Sequence, residues 1–325
     1  MKIILAQILI LVLLSIPPQV FASEVLGIHI LNPDELESAL DLFDADSNTS
    51  DWNYVTVPLT LDDIHKKEMW QRFFDLSREK KIRPIVRLAT KFEGASWKIP
   101  TRKDIVDLSN FLSTLEWPDG DRIVIVFNEP NHAGEWGGTI DPESYSRIFT
   151  FTADWLHSEQ KNYTVLPAAM DLAAPNGINT LEAFNYLSRV INTDSRVVEL
   201  LDGWASHSYP NPAFSSSPTQ TGKNSIRGFV HELDFLAKYT DRKIEVYITE
   251  TGWMDSRATS RFLYTYYKYA VDHVWSDPRV KAVTPFVLRG APGAFAGFSF
   301  LDENGKPTRQ YEAYKKAIDT LGEKK

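Results

Sequence analysis

Two glutamates in this sequence stand where a pair of carboxyl groups could share one reaction. Glu129 lies in the string Phe127-Asn128-Glu129-Pro130, directly after an apolar run, and Glu250 lies within the string from Tyr247 to Trp253, also after an apolar run. A carboxylic acid can protonate a leaving oxygen while a second, ionised carboxylate attacks the carbon that loses it. This division of roles hydrolyses a glycosidic bond with retention of anomeric configuration. We therefore predict that Glu129 and Glu250 meet in one site.

Eight short apolar runs, which alternate with longer amphipathic segments, are predicted to be the strands that position these glutamates. They are Val25 to Ile30, Tyr54 to Leu59, Ile82 to Leu88, Arg122 to Asn128, Thr164 to Met170, Gly203 to Ser208, Ile244 to Glu250 and Ala282 to Leu288. Strand and helix repeated eight times predict an α/β fold, a single (β/α)8 TIM barrel. A doubly wound open sheet has the same alternation, but no glycine-rich phosphate fingerprint follows the first run.

Helix signals occupy the segments between these runs. Thr101 and Asp104 predict a capping box at one helix start, and Asp141 before Pro142 predicts an N-cap at another. Apolar side chains recur at helical spacing in two further segments, which contain Leu36, Ala39, Leu40 and Phe43, and Ile226, Phe229, Val230 and Leu233.

Polar side chains collect at the ends of the predicted strands. In a barrel of this kind the carboxyl ends of all strands open onto one face, whatever their separation in sequence. A hydrogen-bonded polar plug would explain any one of these side chains, but the whole ring predicts a functional face. The ring comprises His29, Arg87, Asn128, Glu129, Asp171, His207, Tyr209 and Glu250.

The strings at these strand ends resemble motifs of the clan A glycoside hydrolases, which are (β/α)8 enzymes. Asn128-Glu129-Pro130 is similar to the family motif that ends strand four, and the string from Thr249 to Trp253 is similar to the motif that ends strand seven. The resemblance implies that Glu129 is the general acid/base, that Asn128 hydrogen-bonds the 2-hydroxyl of the sugar and that Glu250 is the nucleophile. His207-Ser208-Tyr209 resembles the family's His-x-Tyr element, whose tyrosine orients the nucleophile.

Two features depart from that family pattern. Clan A enzymes often carry a tryptophan at the end of strand eight, but here the run from Pro285 to Gly290 contains none, so Phe286, Arg289 or the following loop would supply that wall. The family arginine that supports the nucleophile usually belongs to strand two. Arg87 falls on the third predicted strand, which leaves its supporting role open.

Aromatic side chains near the two motifs could form platforms for the apolar faces of sugar rings. Trp136 follows the first motif, Trp253 follows the second, and Phe295 and Phe298 follow the last predicted strand. We predict that Trp253 lines the site, whereas platform and packing are equally good interpretations of Trp136. Ordinary packing is the better interpretation of the helix-face aromatics Trp70, Phe73 and Trp155.

The composition restricts the classes of partner and cofactor. The formal net charge is −8 without a basic cluster, which argues against a nucleic-acid partner. There is no cysteine, so the chain has no disulfide, no thiolate metal site and no thiol nucleophile. His29 lacks the His-x-His pairing of metal-dependent barrel hydrolases, and we predict neither a metal nor a cofactor. We expect a monomer whose partner is a carbohydrate substrate.

The first 22 residues resemble an export signal. Lys2, an apolar stretch, two prolines and a small residue at position 22 predict cleavage after Ala22, which leaves a catalytic barrel domain over residues 23–325. An uncleaved membrane anchor is the alternative. We expect a secreted, periplasmic or cell-envelope enzyme that makes no other membrane contact, a retaining β-glycoside hydrolase of poly- or oligosaccharides. A glycan-remodelling transglycosylase and a non-catalytic carbohydrate-binding barrel remain alternatives.

Overall fold

The computed structural model describes residues 25–43 and 52–322. The predicted export signal, residues 1–22, lies outside the described residues. Within the described ranges, none of the helices combines the length and the apolar composition that crossing a bilayer requires.

Eight parallel strands surround the centre of the fold. They are β1 (Gly27–His29), β2 (Asn53–Leu59), β3 (Ile82–Leu88), β4 (Arg122–Val126), β5 (Tyr163–Pro167), β6 (Trp204–His207), β7 (Val246–Glu250) and β8 (Val280–Val283). Strands β1 to β5 form one sheet in sequence order, and β6 to β8 form a second. Single parallel bridges join the two sheets at both seams, Leu26 with Val283 and Asp171 with His207. The strands therefore close into a barrel, and the alternative of an open sheet is wrong.

The predicted strands exist, but five of them end earlier than predicted, β1 and β6 by one residue and β4, β5 and β8 by two residues or more. Strand β4 stops at Val126 because Phe127 adopts a φ of 72°, which takes the chain out of the extended region. Strand β5 stops at Pro167, and the next backbone N–H, that of Ala168, donates to the Tyr145 hydroxyl at 2.7 Å. Strand β8 was predicted to run to Leu288 but ends at Val283.

The segment after β8 leaves the strand ladder because its backbone groups bond to several different elements. The N–H of Phe286 donates to the Thr251 carbonyl at 3.0 Å, and that of Leu288 donates to the His29 carbonyl at 2.9 Å. The apolar run from residue 284 to 288 is buried for this reason without being a strand. It passes across the top of the barrel between β7 and β1.

Helices cover the outside of the barrel. They are α1 (Leu36–Ala39), α2 (Lys67–Glu79), α3 (Arg102–Ser113), α4 (Pro142–Ser158), α5 (Ala183–Thr193), α6 (Arg196–Leu200), α7 (Gly228–Leu236), α8 (Leu263–His273) and α9 (Arg309–Gly322). Thr101 and Asp104 form the predicted capping box of α3, and Asp141 caps α4 ahead of Pro142 as predicted. The apolar pattern of residues 36–43 forms successive short helical turns, in which 3-10 turns flank α1.

The barrel interior is packed with side chains from alternate strand positions. Ile85, Ile123, Ile125 and Leu166 belong to an inner cluster, whereas their chain neighbours, such as Val86 and Val124, belong to the larger cluster between strands and helices. The remaining inner residues are Tyr54, Ala169, Ala205, Tyr247 and Ala282. A filled interior leaves the carboxyl ends of the strands as the place where a cleft can open.

Candidate active site

A cavity of about 730 Å³ lies at the carboxyl ends of the strands. Its walls come from both sheets, and they include Arg87 on β3, Glu129 after β4, Tyr209 after β6 and Glu250 at the end of β7. The predicted residues Asn128 and Trp136 also line it, as does Asp171. The two glutamates that were predicted to meet in one site, Glu129 and Glu250, therefore face the same space.

Glu129 projects from a distorted segment that follows β4. Phe127 and Glu129 both have positive φ values, 72° and 28°, which are unfavourable for residues other than glycine. Strain of this kind persists where surrounding contacts hold the backbone, and it concentrates at functional sites. The backbone N–H of Glu129 donates to the Ala169 carbonyl at 3.1 Å, and its carbonyl accepts from His132 at 2.9 Å. These bonds fix the segment that carries the carboxyl group.

Glu250 ends β7 and receives hydrogen bonds on both carboxylate oxygens. Arg87 Nη1 donates to Oε1 at 2.8 Å, and the Tyr209 hydroxyl donates to Oε2 at 3.1 Å. Arg87 lies on β3, as the sequence predicted, and still reaches Glu250 across the barrel. An ion pair to arginine and a hydrogen bond from tyrosine both favour the ionised form of a carboxyl group.

Electrostatic effects keep Glu250 ionised although its side chain is largely buried. Burial alone would raise its pKa, but the positive charges of His207 and Arg87 and the Tyr209 hydrogen bond outweigh burial and hold the pKa well below the usual range. His29 also lies near, with Nδ1 3.7 Å from Oε1, but burial lowers the pKa of His29 to about 3. Because His29 is neutral near pH 7, the stabilising charge there comes from Arg87, and from His207 while its imidazole is protonated.

His207 lies between the two glutamates. Its Nδ1 is 2.6 Å from Glu129 Oε1, and its Nε2 is 3.8 Å from Glu250 Oε1. Burial would lower the pKa of His207, but the two carboxylates outweigh that effect and raise it. The imidazole thus remains protonated to a higher pH than a free histidine. One ligand atom from each of these three residues lies within 4.8 Å of the other two.

A third carboxyl group, which was not among the predicted site residues, also lines the cavity. Glu135 ends a 3-10 turn, Ala133–Glu135, and its side chain hydrogen-bonds that of Asn128. Asn128 Oδ1 accepts from Arg87 at 2.7 Å, so Asn128 links Arg87 to Glu135. Burial, followed by repulsion from Glu129, raises the pKa of Glu135 to about 7. The sequence signal that could have identified Glu135 as a site residue is its position six residues after Glu129.

His132 and Asp171 form another pair on the cavity wall that includes Glu129. His132 Nε2 lies 2.9 Å from Asp171 Oδ2. The contact with Asp171 raises the pKa of His132. Burial opposes ionisation of Asp171, but the hydrogen bond with His132 and other neighbours lower its pKa. The sequence predicts Asp171 as a member of the polar ring but does not indicate His132 as its partner.

Trp253, which was predicted to line the site, and Trp136, for which platform and packing were equally good interpretations, are both fully buried. Trp253 packs edge-on against Tyr267, its Nε1 donates to the Ser216 carbonyl at 2.8 Å, and it does not line the cavity, so its predicted role as a wall is wrong. The physical reason is that the chain turns outward after Glu250 and carries Trp253 into the packing beneath α8. Trp136 borders the cavity, but it packs between Phe127 and Tyr145.

Phenylalanines form the wall at the end of β8. Phe286 lines the cavity and meets the His29 ring edge-on, with 5.2 Å between centroids. Phe295 and Phe298 continue this surface, and Phe295 is 49% exposed. The position at which the sequence lacked a tryptophan therefore keeps an aromatic wall.

Within the described residues, the one group of histidine, aspartate and glutamate side chains close enough to hold a metal is Glu129, His207 and Glu250. Arg87 bonds to one of these ligands, Glu250. A cation there would lie close to that guanidinium, so the donor set fits acid and base chemistry better than metal binding.

Structures similar to this chain are glycoside hydrolases. A GH128 (subgroup II) endo-beta-1,3-glucanase from Sorangium cellulosum aligns with a TM-score of 0.57 at 14% identity, over 90% of this chain and 98% of that one. An endo-beta-1,4-glucanase from Xanthomonas axonopodis pv. citri aligns with a TM-score of 0.57 at 13% identity, over 92% and 99%. A family 39 glycoside hydrolase from Bacteroides cellulosilyticus WH2 aligns with a TM-score of 0.62 at 15% identity, over 94% of this chain and 66% of that one.

A search of curated proteins found no sequence that matches this chain. The family model described as glycosyl hydrolase catalytic core matches residues 92–314, which is more than half of the chain and includes both Glu129 and Glu250. The barrel, the structural neighbours and this match agree with the resemblance to clan A enzymes. The chain therefore belongs to the glycosyl hydrolase catalytic core family and is a glycoside hydrolase with a (β/α)8 barrel.

Proposed function

We propose that the enzyme is a retaining β-glycoside hydrolase in which Glu129 is the acid/base and Glu250 is the nucleophile. The observation that carries the proposal is the spacing of these groups, because a carboxylate oxygen of Glu129 lies within 4.8 Å of one of Glu250. Retaining enzymes place their carboxyl groups about 5 to 5.5 Å apart, whereas inverting enzymes need about 6.5 to 9.5 Å to accommodate a water.

In the first step Glu250 attacks the anomeric carbon from one side of the sugar. The bond from that carbon to the leaving oxygen breaks, and Glu129 transfers its proton to that oxygen. Arg87 and Tyr209 hold the Glu250 carboxylate in place and keep it ionised. The products are the free leaving-group sugar and a glycosyl ester on Glu250.

In the second step a water molecule attacks the same carbon from the side that the leaving group vacated. Glu129, now ionised, accepts a proton from that water, and the ester bond to Glu250 breaks. The hydrogen bond between His207 Nδ1 and Glu129 Oε1, at 2.6 Å, stabilises the ionised form of Glu129 that this step requires. Two inversions give net retention.

We further propose a β-glucan as the substrate and an exported location for the enzyme. Two of the similar structures are named as an endo-beta-1,3-glucanase and an endo-beta-1,4-glucanase, which makes these two linkages the first to test. The sequence of residues 1–22 supports export. Gel filtration of the mature chain tests the expectation of a monomer.

The decisive experiment follows the anomer first released from β-1,3- and β-1,4-glucan by NMR, with wild type, Glu129→Ala, Glu250→Gln and the exposed control Glu79→Gln. We expect the β anomer first from wild type and the control, and about 10³-fold lower turnover in the two site variants. Azide should restore turnover of an activated aryl glycoside by Glu129→Ala and give the β-glycosyl azide. Release of the α anomer, or full activity in either site variant, contradicts the proposal.

A further inference from the structure

A short aromatic hairpin stands at the rim of the cavity. Two-residue strands, Phe92–Glu93 and Ser96–Trp97, pair antiparallel, and we refer to them as the Phe92–Trp97 hairpin. Phe92 is opposite Trp97, and their rings meet edge-on at 5.6 Å between centroids. Phe92 is nevertheless 59% exposed, so its contact with Trp97 leaves most of the ring in solvent.

The hairpin is fixed to the segment that carries Glu129. The backbone N–H of Gly137 donates to the Trp97 carbonyl at 2.8 Å, and the Thr90 hydroxyl donates to the Lys98 carbonyl at 2.6 Å. Gly137 has a φ of 63°, and a Cβ there would lie 2.6 Å from the Ile99 side chain. Glycine is thus needed for the close approach. These contacts hold the hairpin in one position beside the cavity.

The inner side of the hairpin belongs to the same space as the two glutamates. Trp97 and Lys98 line the cavity together with Glu135 and Trp136. The aromatic surface therefore continues from the cavity wall, through Trp97, to the exposed ring of Phe92. An apolar surface in solvent that adjoins a binding cleft marks an interaction site, and sugar rings offer apolar faces to aromatic side chains.

We propose that the Phe92–Trp97 hairpin is a distal subsite that stacks a pyranose ring of the substrate chain outside the reacting subsites. This inference rests on the proposed function for the identity of the ligand, a β-linked glucan chain. The ring packs on Trp97 first, because Trp97 borders the cavity, and a longer chain reaches Phe92. Substrate length beyond the reacting sugars thus contributes to affinity, as an enzyme that cuts within a chain requires.

Calorimetric binding to the Glu250→Gln protein, which prevents cleavage, tests the subsite. The probes are the disaccharides and hexasaccharides of β-1,3- and β-1,4-glucan. In that background, Trp97→Ala should weaken hexasaccharide binding about tenfold and leave disaccharide binding unchanged. Phe92→Ala should give a smaller loss of the same kind. Tyr239→Ala is the matched control, because Tyr239 is an exposed aromatic, 39% accessible, whose ring also contacts a neighbouring ring, that of Phe235, and does not line the cavity.

The outcomes separate this inference from the proposed function. Three results would overturn the subsite. They are an equal loss of affinity for the disaccharide and the hexasaccharide, no loss of affinity in Trp97→Ala, and no binding of a hexasaccharide from either the β-1,3 or the β-1,4 series. Polysaccharide turnover by wild type is measured separately. Binding that depends on Trp97 without any product in wild type would contradict the proposed hydrolysis and leave the subsite standing.

Discussion

A buried carboxyl group away from the proposed chemistry should make the stability of this barrel fall as the pH rises. Glu232 lies on α7 with no accessible surface, and the Ser206 hydroxyl on β6 donates to its Oε2 at 2.5 Å. Its Oε1 makes no hydrogen bond of ordinary geometry. Burial raises the pKa of Glu232 to about 7, and hydrogen bonding by Ser206 offsets only part of that effect. The change Glu232→Gln removes this titrating group and keeps its shape.

The sign and size of the effect follow from proton linkage. Below pH 4.5 the carboxyl group is protonated in both the folded and the unfolded chain, so it has no pH-dependent effect. Between pH 4.5 and about 7 the unfolded chain ionises while the folded chain stays protonated, and the free energy of unfolding falls. Above pH 7 the loss is constant at about 3 kcal/mol, the equivalent of raising the pKa from 4.5 to about 7.

Urea unfolding of wild type and Glu232→Gln at pH 5 and pH 8.5 measures this loss. We expect the variant to gain about 2.5 kcal/mol over wild type between the two pH values, because a small part of the loss has already occurred at pH 5. Any constant cost of the amide itself cancels in the difference. Glu79→Gln, which changes an exposed carboxyl group, controls for surface titration. Parallel pH dependence in wild type and Glu232→Gln would refute the reasoning.

Three further changes separate chemistry from packing. Tyr209→Phe removes a hydrogen bond to the ionised Glu250, so kcat should fall roughly 10- to 100-fold and the acidic limb of the pH profile should shift to higher pH, since the pKa of Glu250 rises. Trp253→Phe should lower the free energy of unfolding by about 1 to 3 kcal/mol, because it removes buried volume and the bond to Ser216, while KM stays unchanged. Thr101→Ala should lower it by about 1 kcal/mol without changing kcat, because it removes a helix cap.

The sequence predicted the barrel well because its signals are local and repeat. Apolar runs and helix caps depend on a few neighbouring residues, and the capping box at Thr101 formed as predicted. The ends of the strands were harder to predict, because an apolar residue can be buried without belonging to a ladder. After β8, backbone bonds to Thr251 and His29 replace the ladder, and nothing in the composition of residues 284–288 distinguishes the two arrangements.

The individual contacts of the site could not be predicted, because they depend on the direction in which each side chain leaves the barrel rim. Proximity in sequence suggested a wall at Trp253, but the backbone turns that ring into the core. Glu135 was not predicted as a site residue, because a glutamate between two predicted elements is usually solvated. Its burial beside Asn128 arises only when the chain folds. Arg87 reaches Glu250 from the opposite side of the barrel, a distance that sequence order does not encode.

At each seam of the barrel the described strands share a single β-bridge, to which backbone hydrogen bonds such as that from the His29 N–H to the Pro285 carbonyl at 3.0 Å are added. The two glutamates therefore belong to different sheets. Glu129 follows β4 in the five-stranded sheet, while Glu250 ends β7 in the three-stranded sheet. Each sheet is continuous in sequence and carries one half of the carboxylate pair. The distance between the two carboxyl groups therefore depends on how the two sheets pack against each other. We expect that two fragments made by a chain break between β5 and β6 would hydrolyse a glycan only after they reassociate.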